Sequence, residues 1–358
     1  MINRIGERTL ELTRKPRVVG FGSAAGKKEG EGPLAKWFDK IFTDTTMGGE
    51  TWEKAEAALQ KTALSLALEN AGLENSDVGL IFAGDLLNQC TSSSYGLRDF
   101  GIPFLGQYGA CSTMAQTLAM ASILVESGAA DTAAAVTSSH FCSAERQFRY
   151  PLQYGGQRTP TAQWTVTGSG SAIVAAYGNG EFLGSGSKLT QCSDMNLKRQ
   201  IGAAHVCIGK IIDMGITDAN NMGAAMAGAA ADTIYRYLCD TSTKPEDYDM
   251  IVTGDLGKVG TDILYELLSK ENVSIEKQHS DCGLLIFDCD EQDVHAGGSG
   301  CGCSASVLCS YIMKRMRKRE LNSVLFAATG ALMSPTIVQQ GESIPGISHI
   351  VHLVNCTD

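Results

Sequence analysis

One short stretch of this sequence occurs twice, and that repeat constrains the fold more than any other feature. Residues 77–85 read Asp-Val-Gly-Leu-Ile-Phe-Ala-Gly-Asp, and residues 247–255 read Asp-Tyr-Asp-Met-Ile-Val-Thr-Gly-Asp. The copies lie 170 positions apart, and an alanine-rich, helix-like stretch precedes each of them. Nine similar residues can arise by chance, but matching helices beside both copies make chance a weaker explanation. The repeat therefore predicts two similar α/β halves.

The periodicity of apolar residues agrees with alternating strands and helices, so we expect an α/β fold. A polar Gly-Asn-Gly turn at residues 178–180 suggests a division into an N-terminal half, 1–178, and a C-terminal half, 179–358. We expect strands near residues 17–20, 78–83, 103–105, 132–137, 173–176 and 350–354. Helices are expected over residues 52–73, 112–127 and 222–238. Further βα units are expected at residues 257–269, 283–287, 303–318 and 324–328.

Composition places the chain among ordinary globular proteins. Its 358 residues are 44% hydrophobic and 19% charged, which is enough to bury a substantial core. The 29 basic and 39 acidic residues give a net charge of −10, which argues against a nucleic-acid partner. The first 17 residues are too charged for a signal peptide, so we expect cytoplasmic synthesis and, at most, a peripheral membrane role.

Twelve cysteines without a secretion signal are typical of reduced thiols. Cys301 and Cys303 are close in sequence, but their spacing does not match the paired motifs of zinc sites. We therefore expect no metal site of the protein's own and no cofactor.

Cys111 is the residue with the most chemical potential. It follows the expected strand at 103–105 and lies at the start of the expected helix at 112–127. Free backbone N–H groups and the positive field of a helix start stabilise a thiolate. A buried cysteine that acts only as a small apolar residue is about equally common. On chemistry alone, the two interpretations of Cys111 stay open.

Five motifs resemble a known family. Gly-Ala-Cys-Ser at residues 109–112, in a duplicated α/β chain, resembles the nucleophile position of thiolases and ketoacyl synthases. More specific are Ala-Gly-Asp-Leu-Leu-Asn-Gln at 83–89 and Ala-Glu-Arg-Gln-Phe-Arg-Tyr-Pro at 144–151, with Gly-Gly-Ser-Gly-Cys at 297–301 and Ala-Thr-Gly-Ala-Leu-Met-Ser-Pro at 328–335. With these motifs, the chain resembles the stage V sporulation protein AD family over essentially its whole length.

That resemblance implies a thiolase-like fold with αβαβα layers and a pocket where the two halves meet. It also implies a role in moving dipicolinic acid, pyridine-2,6-dicarboxylate, into the developing spore. The partners it implies are other membrane proteins of the same uptake system and a second copy of the chain. The location it implies is peripheral, at the spore inner membrane.

The residues that would complete a condensing enzyme are changed. By the repeat and the family pattern, the expected histidine falls at or near Asp255, and a carboxylate there would repel a developing oxyanion. No asparagine occurs in residues 298–303, although His295 lies just before them. We therefore favour a binding protein without catalysis. The alternatives are an acyltransferase that uses Cys111 with His140 or His295, and a scaffold with a vestigial pocket.

A planar dianion such as dipicolinate needs cationic donors and flat walls. We expect a long loop after the strand at 132–137 to supply both, with His140 and Arg149 as the first candidates and Arg146 as a third. The other basic and aromatic residues of this segment are Phe148, Tyr150, Tyr154, Arg158 and Trp164. The alternative is that Glu145, Arg146 and Arg149 form an ion-paired loop at a dimer interface.

Asp85 and Asp255 would oppose a dianion unless something intervenes. Either each aspartate binds backbone N–H groups of its own turn, or one of them helps to hold a calcium ion that bridges to the ligand. Gly330, in the motif at 328–335, is expected to allow close backbone approach near the pocket.

The run Lys-Arg-Met-Arg-Lys-Arg at residues 314–319 ends an expected helix. Cations there complement the helix dipole and keep the surface solvated. Contact with anionic lipid headgroups is the alternative.

Overall fold

The computed structural model describes residues 1–149, 158–178, 181–183 and 200–356. It is a mixed α/β structure with one large sheet and helices on its faces, which confirms the expected fold class. None of the helices within these residues is both long and apolar enough to cross a bilayer.

We number the strands and helices in chain order. The strands are β1 Ile2–Ile5, β2 Thr9–Leu12, β3 Arg17–Ala25, β4 Lys40–Ile41, β5 Leu80–Gly84, β6 Phe104–Gly106, β7 Thr132–Ser139, β8 Trp164–Thr165, β9 Gly168–Ala175, β10 Tyr177–Gly178, β11 Glu181–Phe182, β12 Ile201–Cys207, β13 Met250–Thr253, β14 His279–Asp281, β15 Gly298–Ser299, β16 Ser323–Ala331 and β17 Gly346–Asn355. The helices are α1 Trp52–Ala71, α2 Thr91–Leu97, α3 Thr113–Ser127, α4 Phe141–Arg149, α5 Met222–Thr241, α6 Gly257–Lys270, α7 Cys282–Ile286, α8 Cys301–Val307, α9 Met313–Arg317 and α10 Pro335–Gln339.

The sheet contains the same five-strand arrangement twice. In the first half the order is β3-β9-β7-β5-β6, with antiparallel pairing on both sides of β9 and parallel pairing beyond it. In the second half the order is β12-β17-β16-β13-β14, with antiparallel pairing on both sides of β17 and parallel pairing beyond it. The repeated sequences therefore form the equivalent strands β5 and β13.

The two halves enclose a central helical layer. Helix α3 contacts β5, β7 and β9 of the first half and β16 and β17 of the second, while α8 packs on β3, β7 and β9. Helix α1 covers the other face of the first half, and α5 covers that of the second. Strand β3 is consequently buried along its whole length, as strands covered on both faces are. This is the αβαβα order that the family resemblance implied.

Most of the expected elements occur, with shifted ends. The expected helix at 52–73 is α1, which ends at Gly72 in the left-handed conformation that favours glycine. The expectation of a long loop directly after β7 was wrong, because residues 141–149 form α4. The paired strands β1 and β2 were not expected. The proposed division at 178/179 stays a prediction, since residues 179 and 180 lie outside the described part.

Candidate functional site

Cys111 lies in a tight turn between β6 and α3. Ala110 has a φ of 49°, which reverses the chain direction just before the cysteine. The Ser112 and Thr113 side chains donate hydrogen bonds of 2.7 and 2.6 Å to the carbonyl oxygens of Gly109 and Ala110. The turn is thus held by its own side chains, and Cys111 is only 5% exposed.

The Cys111 thiol interacts with the Asp255 carboxylate, and its other polar neighbours are Ser299 and the Gly300 N–H. Burial and the neighbouring Asp255 charge raise the pKa of Cys111 well above its usual value. Both effects disfavour the thiolate, which is the nucleophilic form of cysteine. The helix start does not overcome them, so Cys111 is a protonated thiol near neutral pH.

Asp255 is fully buried two residues after β13. One carboxylate oxygen accepts hydrogen bonds from the Gly300 N–H at 2.9 Å and the Ser299 hydroxyl at 3.2 Å, and the other accepts from the Thr329 hydroxyl at 2.9 Å. Burial is the main reason why the pKa of Asp255 rises to about 7, although these hydrogen bonds oppose the rise. Asp255 is therefore partly protonated near neutral pH.

Gly330, a residue of β16, packs closely on the turn that carries Cys111. A Cβ atom at this position would lie 2.5 Å from the Gly109 carbonyl oxygen and 3.2 Å from the Cys111 nitrogen. The expected close backbone approach is therefore present, and it positions the turn that carries Cys111.

A narrow cavity of about 30 Å³ opens beside the thiol. Its walls are mainly apolar and include two methionines, which adapt readily to a ligand's shape. The lining residues are Leu86, Tyr108, Ala110, Cys111, Ala144, Phe148, Thr165, Met222, Ser299, Ala331 and Met333. None of these described lining residues is cationic. A planar ring could enter only if side chains such as Phe148 and Met333 moved.

Asp85, the counterpart of Asp255, binds backbone N–H groups before α2 and in its first turn. Its carboxylate accepts hydrogen bonds from the backbone N–H groups of Leu87 and Ser93, at 2.9 and 2.8 Å, and from the Ser93 hydroxyl at 2.6 Å. Buried Glu56 is its electrostatic neighbour, and burial, with the Asp85 charge second, raises the pKa of Glu56 to about 8. Asp85 does not line the cavity beside Cys111, and its hydrogen bonds are those that the capping explanation expects.

The carboxylate oxygens of both aspartates are used within the protein, as described above. In the part of the chain that the structure describes, no three His, Cys, Asp or Glu side chains cluster as they would to hold a metal ion. A calcium ion that one of these aspartates shares with the ligand stays a prediction.

His140 follows β7 and is 1% exposed. Its Nε2 bonds with the Thr45 carbonyl oxygen at 3.0 Å, its Nδ1 accepts from the Cys142 N–H at 3.1 Å, and its ring stacks on Trp52. Burial lowers the pKa of His140, which favours the neutral ring. Both ring nitrogens are occupied, and His140 does not line the cavity beside Cys111.

The arginines of this segment do not converge on the thiol in the described residues. Arg146 forms an ion pair with Glu53 and is half exposed, and Arg158 lies over the Trp164 ring at 4.9 Å. Arg149 ends α4 next to Phe148, which lines the cavity, but its side chain lies outside the described part. Tyr150 and Tyr154 also lie outside the described residues.

His295 contacts Asp293 at 3.0 Å from its Nε2 and is absent from the lining of the cavity. The structure thus brings together Cys111, Asp255 and Gly330, and it places Asp85, His140, Arg146 and His295 elsewhere. Sequence reasoning missed Ser299 and Thr329, which bind Asp255. Their positions within the motifs at 297–301 and 328–335 were the available signal.

Comparison with known proteins gives one family and one fold. The family model described as Stage V sporulation protein AD matches residues 6–354. The curated protein of that name from Bacillus subtilis (strain 168) is 47% identical over 344 residues, which cover 96% of each chain.

Among solved structures, the 3-oxoacyl-[acyl-carrier-protein] synthase III of Aquifex aeolicus VF5 is similar with a TM-score of 0.54 and 13% identity, over 95% of this chain and 99% of that one. A variant of OleA from Xanthomonas campestris gives a TM-score of 0.57 at 11% identity, over 98% and 99% of the two chains. At such low identity, these two structures show the fold alone.

Proposed function

Because this chain belongs to the stage V sporulation protein AD family, we propose that it is a binding protein for dipicolinic acid and does not catalyse condensation. Membership in this family supports a role in sporulation. Dipicolinic acid as the ligand, and its uptake into the developing spore as the process, rest on the family resemblance described above.

The observation that carries the absence of catalysis is the contact between Cys111 and Asp255. A condensing enzyme needs a nucleophilic thiolate and donors that stabilise a developing oxyanion. Here burial, and after it the Asp255 carboxylate, raises the pKa of the thiol. The same carboxylate accepts hydrogen bonds from the neighbouring donors. The Asp255 carboxylate thus disfavours the thiolate and also occupies the donors that would stabilise an oxyanion.

The competing function is acyl transfer through Cys111, favoured by the position of this cysteine just before α3. We expect an acyl-CoA to leave the intact mass of the protein unchanged near neutral pH, because the thiol stays protonated. Cys111→Ala serves as the control, since a mass increase that this variant abolished would establish an acyl-enzyme. Such a result would contradict the non-catalytic proposal.

For the ligand, we propose the cavity beside Cys111, entered past α4. Ala144 and Phe148 of α4 line it, so Arg149, the next residue, is the cation best placed in sequence to meet a carboxylate of dipicolinate. The pKa of Asp255 is about 7, so uptake of a proton by its carboxylate can relieve the repulsion when a dianion binds nearby. Met222 and Met333 provide walls that can adapt to the ring.

Calorimetric titration with dipicolinic acid tests this site, with calcium and with a chelator. We expect Arg149→Gln to weaken binding about tenfold or more, since a lost charge-assisted hydrogen bond costs about 1.5–3 kcal/mol. Arg146→Gln is the matched control on the same helix, and we expect little change because Arg146 is paired with Glu53.

Met222→Trp should also weaken the binding, because the larger side chain fills the cavity. Equal effects of the two arginine variants would contradict the site. No heat from the wild-type protein in either buffer would contradict dipicolinate binding itself. Affinity that the chelator does not change would remove calcium from the proposal.

We also propose a homodimer. Strand β6 is the edge of the sheet and pairs only with β5 among the described strands. Leu105 and Tyr108 are 51% and 43% exposed there, and an unpaired apolar edge favours pairing with another chain. Sedimentation at the mass of a single chain would contradict the homodimer. Contact with membrane proteins of the uptake system stays a proposal from the resemblance.

A further inference from the structure

We propose that a basic groove at the end of α9 is the surface through which this protein contacts an anionic lipid bilayer. The basic groove is formed by Lys36, Trp37, Lys314, Arg317 and Lys318 and has a volume of about 530 Å³. It is separate from the cavity beside Cys111, and the inference does not depend on dipicolinate binding.

Two distant segments build the basic groove. Lys36 and Trp37 belong to a short helical turn, Ala35–Trp37. Lys314 and Arg317 lie in α9, and Lys318 follows its last residue. The Trp37 ring packs edge-on against Tyr311 at 5.3 Å, and the Lys36 and Lys318 ammonium groups lie 5.9 and 4.9 Å from its centre. The tertiary structure thus gathers cations around one partly exposed indole ring.

Two of the four cations, Lys36 and Lys318, form no ion pair with the described residues. Lys314 pairs with Asp39 at 2.6 Å and bonds with the Trp37 carbonyl oxygen, so it serves the local structure. Arg317 has the Asp39 carboxylate as a charged neighbour and lies over the Phe21 ring at 4.1 Å. Within the described residues, no carboxylate lies within 4 Å of the Lys36 or Lys318 ammonium groups. Like charges that share a groove repel one another, and an anion placed between them relieves that repulsion.

The helix dipole does not explain the whole arrangement. Cations at the end of α9 would complement the dipole, but Lys36 comes from another segment and adds to the same groove. An indole ring among lysines is typical of the lipid headgroup region, where the ring meets the acyl boundary and the cations meet phosphates.

The negative net charge limits any anionic partner to the basic groove. At −10 overall, the rest of the protein repels a nucleic acid and an anionic bilayer alike. The indole ring among the lysines favours the bilayer, because its interface takes up such a ring. Phosphate-bearing lipid headgroups are therefore the chemistry that the basic groove fits.

Co-sedimentation of the full chain with lipid vesicles tests the proposal. We expect binding to vesicles of equal parts phosphatidylglycerol and phosphatidylcholine, loss of binding as sodium chloride increases, and no binding to phosphatidylcholine alone. Lys36→Gln with Lys318→Gln should weaken binding about 30-fold, from the usual contribution of two lysines near an anionic leaflet. The matched control, Lys270→Gln with Lys277→Gln, removes two exposed lysines elsewhere and should change binding little.

A brominated phosphatidylglycerol should quench the fluorescence of the wild-type protein more than that of Trp37→Phe, since it reports the depth of the indole. Failure of the wild-type protein to bind anionic vesicles would overturn the proposal, as would equal losses in the two double variants. Release by inorganic phosphate far beyond that by chloride at equal ionic strength would indicate a soluble-anion site instead. Binding of a single-stranded oligonucleotide that the Lys36 and Lys318 changes abolish would indicate a nucleic-acid site.

Discussion

Replacement of Asp255 by alanine is expected to cost about 3–5 kcal/mol of the free energy of unfolding, since buried donors lose their acceptor. The Gly300 N–H and the hydroxyls of Ser299 and Thr329 all donate to this carboxylate. The substitution leaves these three donors without an acceptor, in a region closed to water. Chemical denaturation of the wild type and the variant measures the loss.

The size of that loss should depend on pH. The pKa of Asp255 is about 7 in the folded chain, compared with an ordinary value of 3.8. A pKa raised by folding means that the contribution of Asp255 to stability is full below about pH 4 and is lost as the pH rises through 7. The alanine variant has no such titration, so the difference between the two proteins should be larger at pH 5 than at pH 8, by an amount on the order of 2 kcal/mol.

Asp213→Ala is the matched control for Asp255→Ala. The Asp213 carboxylate also accepts two hydrogen bonds, from Gly215 and Ser343, but it is exposed to water, so its loss should cost less than about 1 kcal/mol. A loss for Asp255→Ala no larger than that of the control would contradict the role assigned to the buried network. If the stability difference between the wild type and Asp255→Ala grew toward pH 8, the result would contradict the direction of the pKa shift of Asp255.

Gly330→Ala should be the other severe substitution. The added methyl group would lie 2.5 Å from the Gly109 carbonyl oxygen and 3.0 Å from the Ser112 nitrogen, and both are backbone atoms that cannot rotate away. Overpacking of this kind costs about 1–3 kcal/mol, and backbone contacts place it at the upper end. We expect a stability loss near that limit and a displaced Cys111 turn, seen as a changed rate of Cys111 alkylation.

Gly79→Ala provides the comparison, because its new methyl group would meet only the Thr132 carbonyl oxygen, at 3.2 Å. We expect its stability to stay within about 1 kcal/mol of the wild type. If Gly330→Ala were as stable as Gly79→Ala and left Cys111 alkylation unchanged, the close packing of β16 on the Cys111 turn would not position the site.

Cys111 and Asp255 could be chosen as candidate site residues from the sequence, because each is marked by a short local pattern. Cys111 follows a short strand and precedes an apolar helix, and Asp255 ends the second copy of the repeat. The repeat and the family pattern also indicated that Asp255 lies at or near the position of the expected histidine. The contact of Asp255 with Cys111 follows from the way in which the two halves face each other.

His140 and Arg146 were candidates for the same reason, but their contacts could not be read from local pattern. His140 bonds with Thr45, 95 residues earlier in the chain, and Arg146 pairs with Glu53 of α1. The expectation of a loop was wrong, since residues 141–149 form a helix, which turns these side chains in different directions. A loop would have left them free to converge.

The sequence by itself determined the duplication, the alternation of strands and helices and the cysteine at the start of α3, because each is carried by periodicity or by neighbours in the chain. Only the tertiary structure decided that Asp255 meets the thiol, that Gly330 presses on its turn and that Lys36 joins the cations of α9. Those contacts join residues far apart in sequence, and their geometry exists only once the halves have packed together.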